Sequence, residues 1–192
     1  MGYTRRFQQL KNRLAELESH FLPPIKVSGN YTKKELDNTR AFCVLTHAEI
    51  EAFFEDVAIF KTDTAIKSWV NSGKKKINLI VFHLATYCDK APATKSVTPI
   101  NLVHISHSNY QRSIRSNNGI KQNNLDLLFG KIGYEVDTTL ASTLDSFGVQ
   151  RGEIAHTSIK THQPLDPQSE KNRITLIITG LQAFVTDFAL YH

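Results

Sequence analysis

A chain of 192 residues, 41% hydrophobic and 21% charged, has ample material for one buried core and little for two. Its net charge of +5 suits an anionic partner such as RNA without requiring one. Two cysteines (Cys43 and Cys88) in neither zinc nor disulfide spacing, an N-terminus interrupted by charges, and no run of about 18 uncharged apolar residues argue against a zinc module, a secreted disulfide framework, a signal peptide and a spanning helix, and so for a cytoplasmic protein.

Phe7, Leu10, Leu14, Leu17 and Phe21 recur at spacings of three and four. They predict a helix of about 17 residues that ends before Pro23-Pro24. Its apolar stripe serves either packing on the same chain or a dimer seam. Thr32 with Glu35 forms a capping box, each side chain satisfying a backbone donor at the other end. Ile50, Phe53, Phe54, Val57 and Phe60 carry that second helix to Lys61, about 29 residues in all, a length at which a break is expected.

From Thr64 the pattern weakens. Ala65, Ile66, Trp69 and Val70 suggest a short helix stopped by Ser72-Gly73. Ile77, Leu79, Ile80, Val81 and Phe82 are rich in β-branched residues, so strand competes with helix. Helix is favoured because no partner strand is evident elsewhere. Ala91-Pro92-Ala93 reads as loop. Thr98-Pro99 is a cap followed by proline at the first helical position. Ile100, Val103, Ser106, His107, Tyr110 and Ile114 follow a helical spacing, and Asn117-Asn118-Gly119 stops that helix through residues tolerant of left-handed backbone.

Leu125, Leu127, Leu128 and Ile132 mark a further helix that ends near Gly133. Leu140, Leu144, Phe147 and Ile154 mark the next, with Gly148 and Gly152 as points of bending or division. After a loop from His162 to Pro167, Asp166-Pro167 caps a last helix that buries Ile174, Ile177, Ile178, Leu181, Phe184, Val185 and Phe188. The fold class is all-α.

The stretch Arg151-Gly152-Glu153-Ile154-Ala155-His156 carries the most chemistry. Arginine holds a phosphate by two parallel hydrogen bonds, and histidine moves a proton near neutrality. Together they suffice for RNA cleavage without metal or other cofactor. On a helix, five residues separate the two Cβ atoms by about 140° and about 7.5 Å along the axis, so the side chains do not stack. Either both line one groove, or two copies of the segment face each other across a two-fold axis.

Helical side chains tilt toward the N-terminus, which sets His156 over the turn of Gly152, where no side chain obstructs a phosphate. Glu153, three residues before, either orients the imidazole or faces solvent. His47 and Glu51 share a helix face four residues apart, and contact with Arg151 follows if their helix packs on the Arg/His helix. Lys74, Lys75 and Lys76, with Arg112, Arg115 and Lys121, offer basic surface for a nucleic-acid backbone. His104 and His107 are three apart but lack a nearby carboxylate or thiol ligand, so no metal site is expected.

These residues resemble the HEPN superfamily, whose signature is Arg, four to six residues, then His in a small helical bundle. Leu45-Thr46-His47-Ala48-Glu49-Ile50-Glu51-Ala52-Phe53 and Ser116-Asn117-Asn118-Gly119-Ile120 resemble its RiboL-PSP-HEPN branch. The resemblance implies a HEPN-like helical domain over residues 31–192, with residues 1–30 as a helical extension. It implies a metal-independent endoribonuclease, a toxin or antiphage defence effector, working as a homodimer whose Arg151/His156 motifs meet at a cleft. An antitoxin protein joins RNA among the implied partners. Many members carry a polar residue after the Arg, where this chain has Gly152. The alternatives are a non-catalytic nucleotide- or RNA-binding module and a helical antitoxin or adaptor acting through the first helix.

Overall fold

The computed structural model describes residues 2–75, 77–86, 98–156 and 165–192. Seven helices follow one another among them: α1 (Tyr3–Phe21), α2 (Lys33–Asn71), α3 (Leu79–Thr86), α4 (Pro99–Arg115), α5 (Gln122–Leu128), α6 (Thr138–His156) and α7 (Pro167–Leu190). A single 3-10 turn, Gly130–Ile132, follows α5. The described residues contain no strand, so the all-α reading holds and the competing strand at Ile77–Phe82 does not form.

The central element is α2. It starts on the capping box, with Thr32 accepting from the Glu35 backbone and the Glu35 carboxylate accepting from Thr32 at 2.7 Å. It then runs 39 residues without the expected break, about 58 Å at 1.5 Å per residue. The reason is that it is surrounded. Phe42, Cys43, Ile50, Phe53, Phe54, Val57, Ala58, Ala65, Ile66 and Trp69 are all buried, and no proline or glycine interrupts them. After Thr64 the buried stripe thins to Ala65, Ile66 and Trp69, with Thr64, Lys67, Ser68 and Val70 exposed, so the pattern weakens without a boundary. Gly73 and Lys74, both at positive φ, end the helix just beyond Ser72.

The α1 stripe is used within the chain: Phe7, Leu10, Leu14 and Leu17 are buried against α2 and α7. Arg6 and Arg13 reach across to Asp56 and Glu49 at 2.6 and 3.0 Å. An aromatic cluster of Phe54, Phe129, Tyr134, Phe184 and Phe188 joins α2, α7 and the segment after α5, largely edge to face. Beside it the buried Lys61 ammonium donates to the carbonyls of Phe188 (2.7 Å) and Ala189 (3.3 Å) at the end of α7, beneath the rings of Tyr3, Phe188 and Tyr191. A cation there meets the negative end of the helix.

By length and composition α7 is apolar enough to cross a membrane, an exception to the reading that no segment is. Its first turns hold Glu170, Lys171 and Arg173, and Ile174, Ile177, Leu181, Phe184, Val185 and Phe188 are buried in the core. The loop 116–121 also differs from expectation. Neither Asn117, Asn118 nor Gly119 adopts positive φ; side-chain hydrogen bonds hold this segment instead. Gly148 and Gly152 do not divide α6.

Gly133 is the glycine with least freedom to change. Its φ is +79°, and an added Cβ would meet His83 Nε2 at 2.3 Å and the Tyr191 hydroxyl at 2.7 Å. Gly133→Ala is expected to destabilise the fold by about 1–3 kcal/mol, read as a lower urea midpoint. A variant as stable as wild type would show that this turn tolerates a side chain.

Candidate functional site

The site forms where α2, the 116–121 loop and α6 meet. His47, Glu51 and Glu55 are spaced four apart and so lie along one stripe of α2. The loop is laid along that stripe. Asn117 donates from Nδ2 to Glu55 Oε1 at 3.0 Å and to the Gly119 carbonyl at 3.0 Å. The Gly119 N–H lies close enough to the Glu51 carboxyl to favour its charged form. Asn124 donates to Asn117 Oδ1 at 2.9 Å, fixing the amide from behind. The loop ends at Lys121, whose stem crosses α6 at Gly148; a Cβ on Gly148 would lie 2.9 Å from Lys121 Cγ. Glycine there is required by close approach, not by backbone conformation.

His47 is 2% exposed and packs beside the Phe147 ring, centroids 5.9 Å apart. Its Nδ1 has no hydrogen-bond partner, since Glu51 Oε2 stands 3.6 Å away, beyond a good hydrogen bond. Burial, then the charges of Arg151 and Lys121, push its pKa down from 6.5 to about 4. The imidazole is therefore neutral at physiological pH. Burial and then Glu55 raise the pKa of Glu51, while Arg151 and the Gly119 N–H oppose them.

Arg151 is the cation these groups share. It is partly buried, and its Nε is enclosed without a hydrogen-bond partner. His47 and Glu51 both feel its charge, so α2 and α6 do pack as their spacing anticipates. His156 is the last residue of α6 and is exposed, as is Glu153. Because α6 is uninterrupted, the turn of about 140° between Arg151 and His156 persists. Arg151 faces α2 while His156 faces outward. Between them Gly152 is open, with nothing within 4 Å of an added Cβ.

The RiboL-PSP-HEPN family model matches residues 8–189. The chain belongs to the RiboL-PSP-HEPN family. No curated protein and no solved structure matches it. Membership supports an RNA-related role, and the superfamily often supplies ribonucleases. The match starts inside α1, well before the segments that carry the motif resemblance.

In this RiboL-PSP-HEPN chain the three motif segments converge on one place, but the basic residues do not all join them. Lys121 does. Arg112 and Arg115 are exposed on the last turn of α4, leading into the loop. Lys74 and Lys75 are exposed beyond the far end of α2, 27 residues and about 40 Å along the axis from His47. Lys76 lies outside the described residues, as do Cys88 and the loop at Ala91-Pro92-Ala93. Cys43 is buried, which pushes its thiol pKa up.

His104 and His107 lie on the face of α4 toward α2. His107 Nε2 is 3.0 Å from Asp63 Oδ1, and His104 lies beside Trp69. Among the described residues no group of three His, Cys, Asp or Glu side chains could hold a metal ion. Glu55 is the contributor that pattern reading passed over, although it continues the 47–51 stripe by another four residues.

The depressed pKa of His47 has a definite sign. Between about pH 6.5 and 4 the unfolded chain binds a proton that the native His47 does not, so stability falls as pH falls through that window. Glu51, with its raised pKa, offsets part of this loss. An NMR titration should find the His47 ring half-protonated near pH 4, and His47→Gln should flatten the acid limb of the stability curve. A His47 midpoint near 6.5 would contradict its burial beside Arg151.

Proposed function

We propose that this protein is a metal-independent endoribonuclease that cleaves RNA through Arg151 and His156 at the cleft of a homodimer, as a toxin or antiphage defence effector. The observation that carries the reading is the partly buried Arg151 guanidinium on the same helix as an exposed histidine. A phosphate would bind at the accessible part of the Arg151 guanidinium, and the neutral His47 adds no competing charge.

The chemistry is transesterification. The 2′-hydroxyl loses its proton and its oxygen attacks the adjacent phosphorus. The bond from phosphorus to the 5′-oxygen breaks, leaving a 2′,3′-cyclic phosphate and a 5′-hydroxyl after that oxygen is protonated. His156 moves one of these protons, a role worth about 10²- to 10⁴-fold. Arg151 holds the phosphoryl oxygens as charge builds on them, and Lys121 lends a second positive charge nearby. Gly152 leaves the helix surface between Arg151 and His156 open to the sugar-phosphate chain.

A homodimer accounts for the orientation of the pair. Arg151 and His156 of one chain point about 140° apart, so a two-fold axis would bring the Arg of one copy to the His of the other. RNA is the substrate, and an antitoxin protein is the partner expected to restrain it.

The test is cleavage of total RNA and tRNA in EDTA by wild type, Arg151→Ala and His156→Ala, with a DNA copy alongside. Wild type should cleave RNA and spare DNA, and each variant should lose at least about 100-fold. Mixing the two variants should restore part of the activity if the site is shared between copies. Equal cleavage by all three proteins, or cleavage of DNA, would overturn the mechanism. Binding without cleavage would favour a non-catalytic RNA-binding module.

A further inference from the structure

After Phe147, α6 has little apolar anchorage. Among residues 148–156 only Gly148 and Ile154 are buried. A helix end so lightly packed should fray, yet it carries the two residues on which the proposed chemistry depends. Polar ties replace the missing packing. On one side Arg40 donates from Nη2 to the Ile154 carbonyl at 2.8 Å, tying this stretch of α6 to α2.

On the other side lies a buried carboxylate. Glu170, in the first turn of α7, is 2% exposed. It accepts from Gln150 Nε2 at 2.9 Å, from Arg173 at 3.2 Å and from the Cys43 thiol at 3.4 Å. Arg173 Nη1 also donates to Gln150 Oε1. Both ends of the Gln150 amide are thus held, and one carboxylate joins α2, α6 and α7. A buried ion pair is weak evidence for stability, because apolar residues of similar volume usually serve as well. What this one specifies is orientation.

Gln150 directly precedes Arg151, about 100° away around the helix. Holding Gln150 against α7 sets the direction of Arg151 toward α2. We propose that Glu170 is a positioning residue of the site, fixing the rotation of α6 through Gln150 so that Arg151 is held beside His47 and Glu51. It touches no substrate. The importance of such a residue lies in geometry, since a displacement of about 1 Å at a reacting group costs up to about 100-fold.

This inference rests on the reading of Arg151 as a functional group, so its test carries a readout independent of RNA cleavage. Glu170→Gln and Gln150→Glu each break the donor–acceptor match while nearly preserving volume. The double variant reverses the pair and restores it, with Arg173 able to donate to both positions as before. Each single variant should lower kcat about 10- to 100-fold with KM changed less than about twofold. The double variant should recover most of kcat.

In parallel, the ¹H–¹⁵N signal of the Arg151 Nε–H should move in each single variant and return in the double. Unchanged kcat and Arg151 signal in folded single variants would overturn the proposal, as would a folded double variant that recovers neither. If wild type itself fails to cleave RNA, the ribonuclease reading fails, and the Arg151 signal still decides whether Glu170 positions this residue.

Discussion

Everything at the site depends on α2 running unbroken for 39 residues. One stripe at its middle carries His47, Glu51 and Glu55; Glu55 holds the 116–121 loop, and His47 and Glu51 face Arg151. One turn before His47 on the same stripe, Cys43 meets Glu170 of α7. Further along, Lys61 closes the end of α7, and Asp63 receives Gln111 of α4 at 3.1 Å. A break anywhere between these positions would uncouple the loop, the Arg/His helix and the last helix from one another. A helix that packs against six others along its length is held by its neighbours rather than by its own propensities.

The electrostatics follow from that packing. Burying Arg151 beside a histidine and a carboxylate creates a problem with few solutions. The histidine stays neutral, Arg151 and the Gly119 N–H favour the charged carboxylate against its burial, and one guanidinium nitrogen remains without an acceptor. His156, by contrast, stays exposed where a mobile proton carrier is most useful. In the proposed mechanism the pair would divide the work of holding charge and moving protons, and their opposed directions are what a two-fold arrangement would reconcile.

Signals confined to a few consecutive residues were legible. The Thr32/Glu35 box, the Thr98-Pro99 and Asp166-Pro167 starts and the stop near Gly133 all stand, because each is decided by neighbours in sequence. The stripe of α1 was legible, and its partner was not. The length of α2 was hidden because polar Lys61 and Thr62 occupy buried positions of its apolar stripe, which thins beyond them to Ala65, Ile66 and Trp69. At 117–119 the residue types suggested left-handed backbone, yet Asn117 is used for its amide, a choice made by Glu55 some sixty residues earlier. The approach of His47, Glu51 and Arg151 could be framed as a condition on helix packing. The Glu170 network could not, since nothing in the spacing of Cys43, Gln150 and Glu170 announces a shared carboxylate.

The account stands on Arg151 and His156 acting together on a ribonucleotide phosphate. Its most direct test is the chemical identity of the RNA ends left by wild type in EDTA, compared with those left by His156→Ala. The account predicts 2′,3′-cyclic phosphate and 5′-hydroxyl ends from wild type and none from the variant. Ends bearing 3′-hydroxyl and 5′-phosphate, or the same ends in equal yield from both proteins, would contradict it.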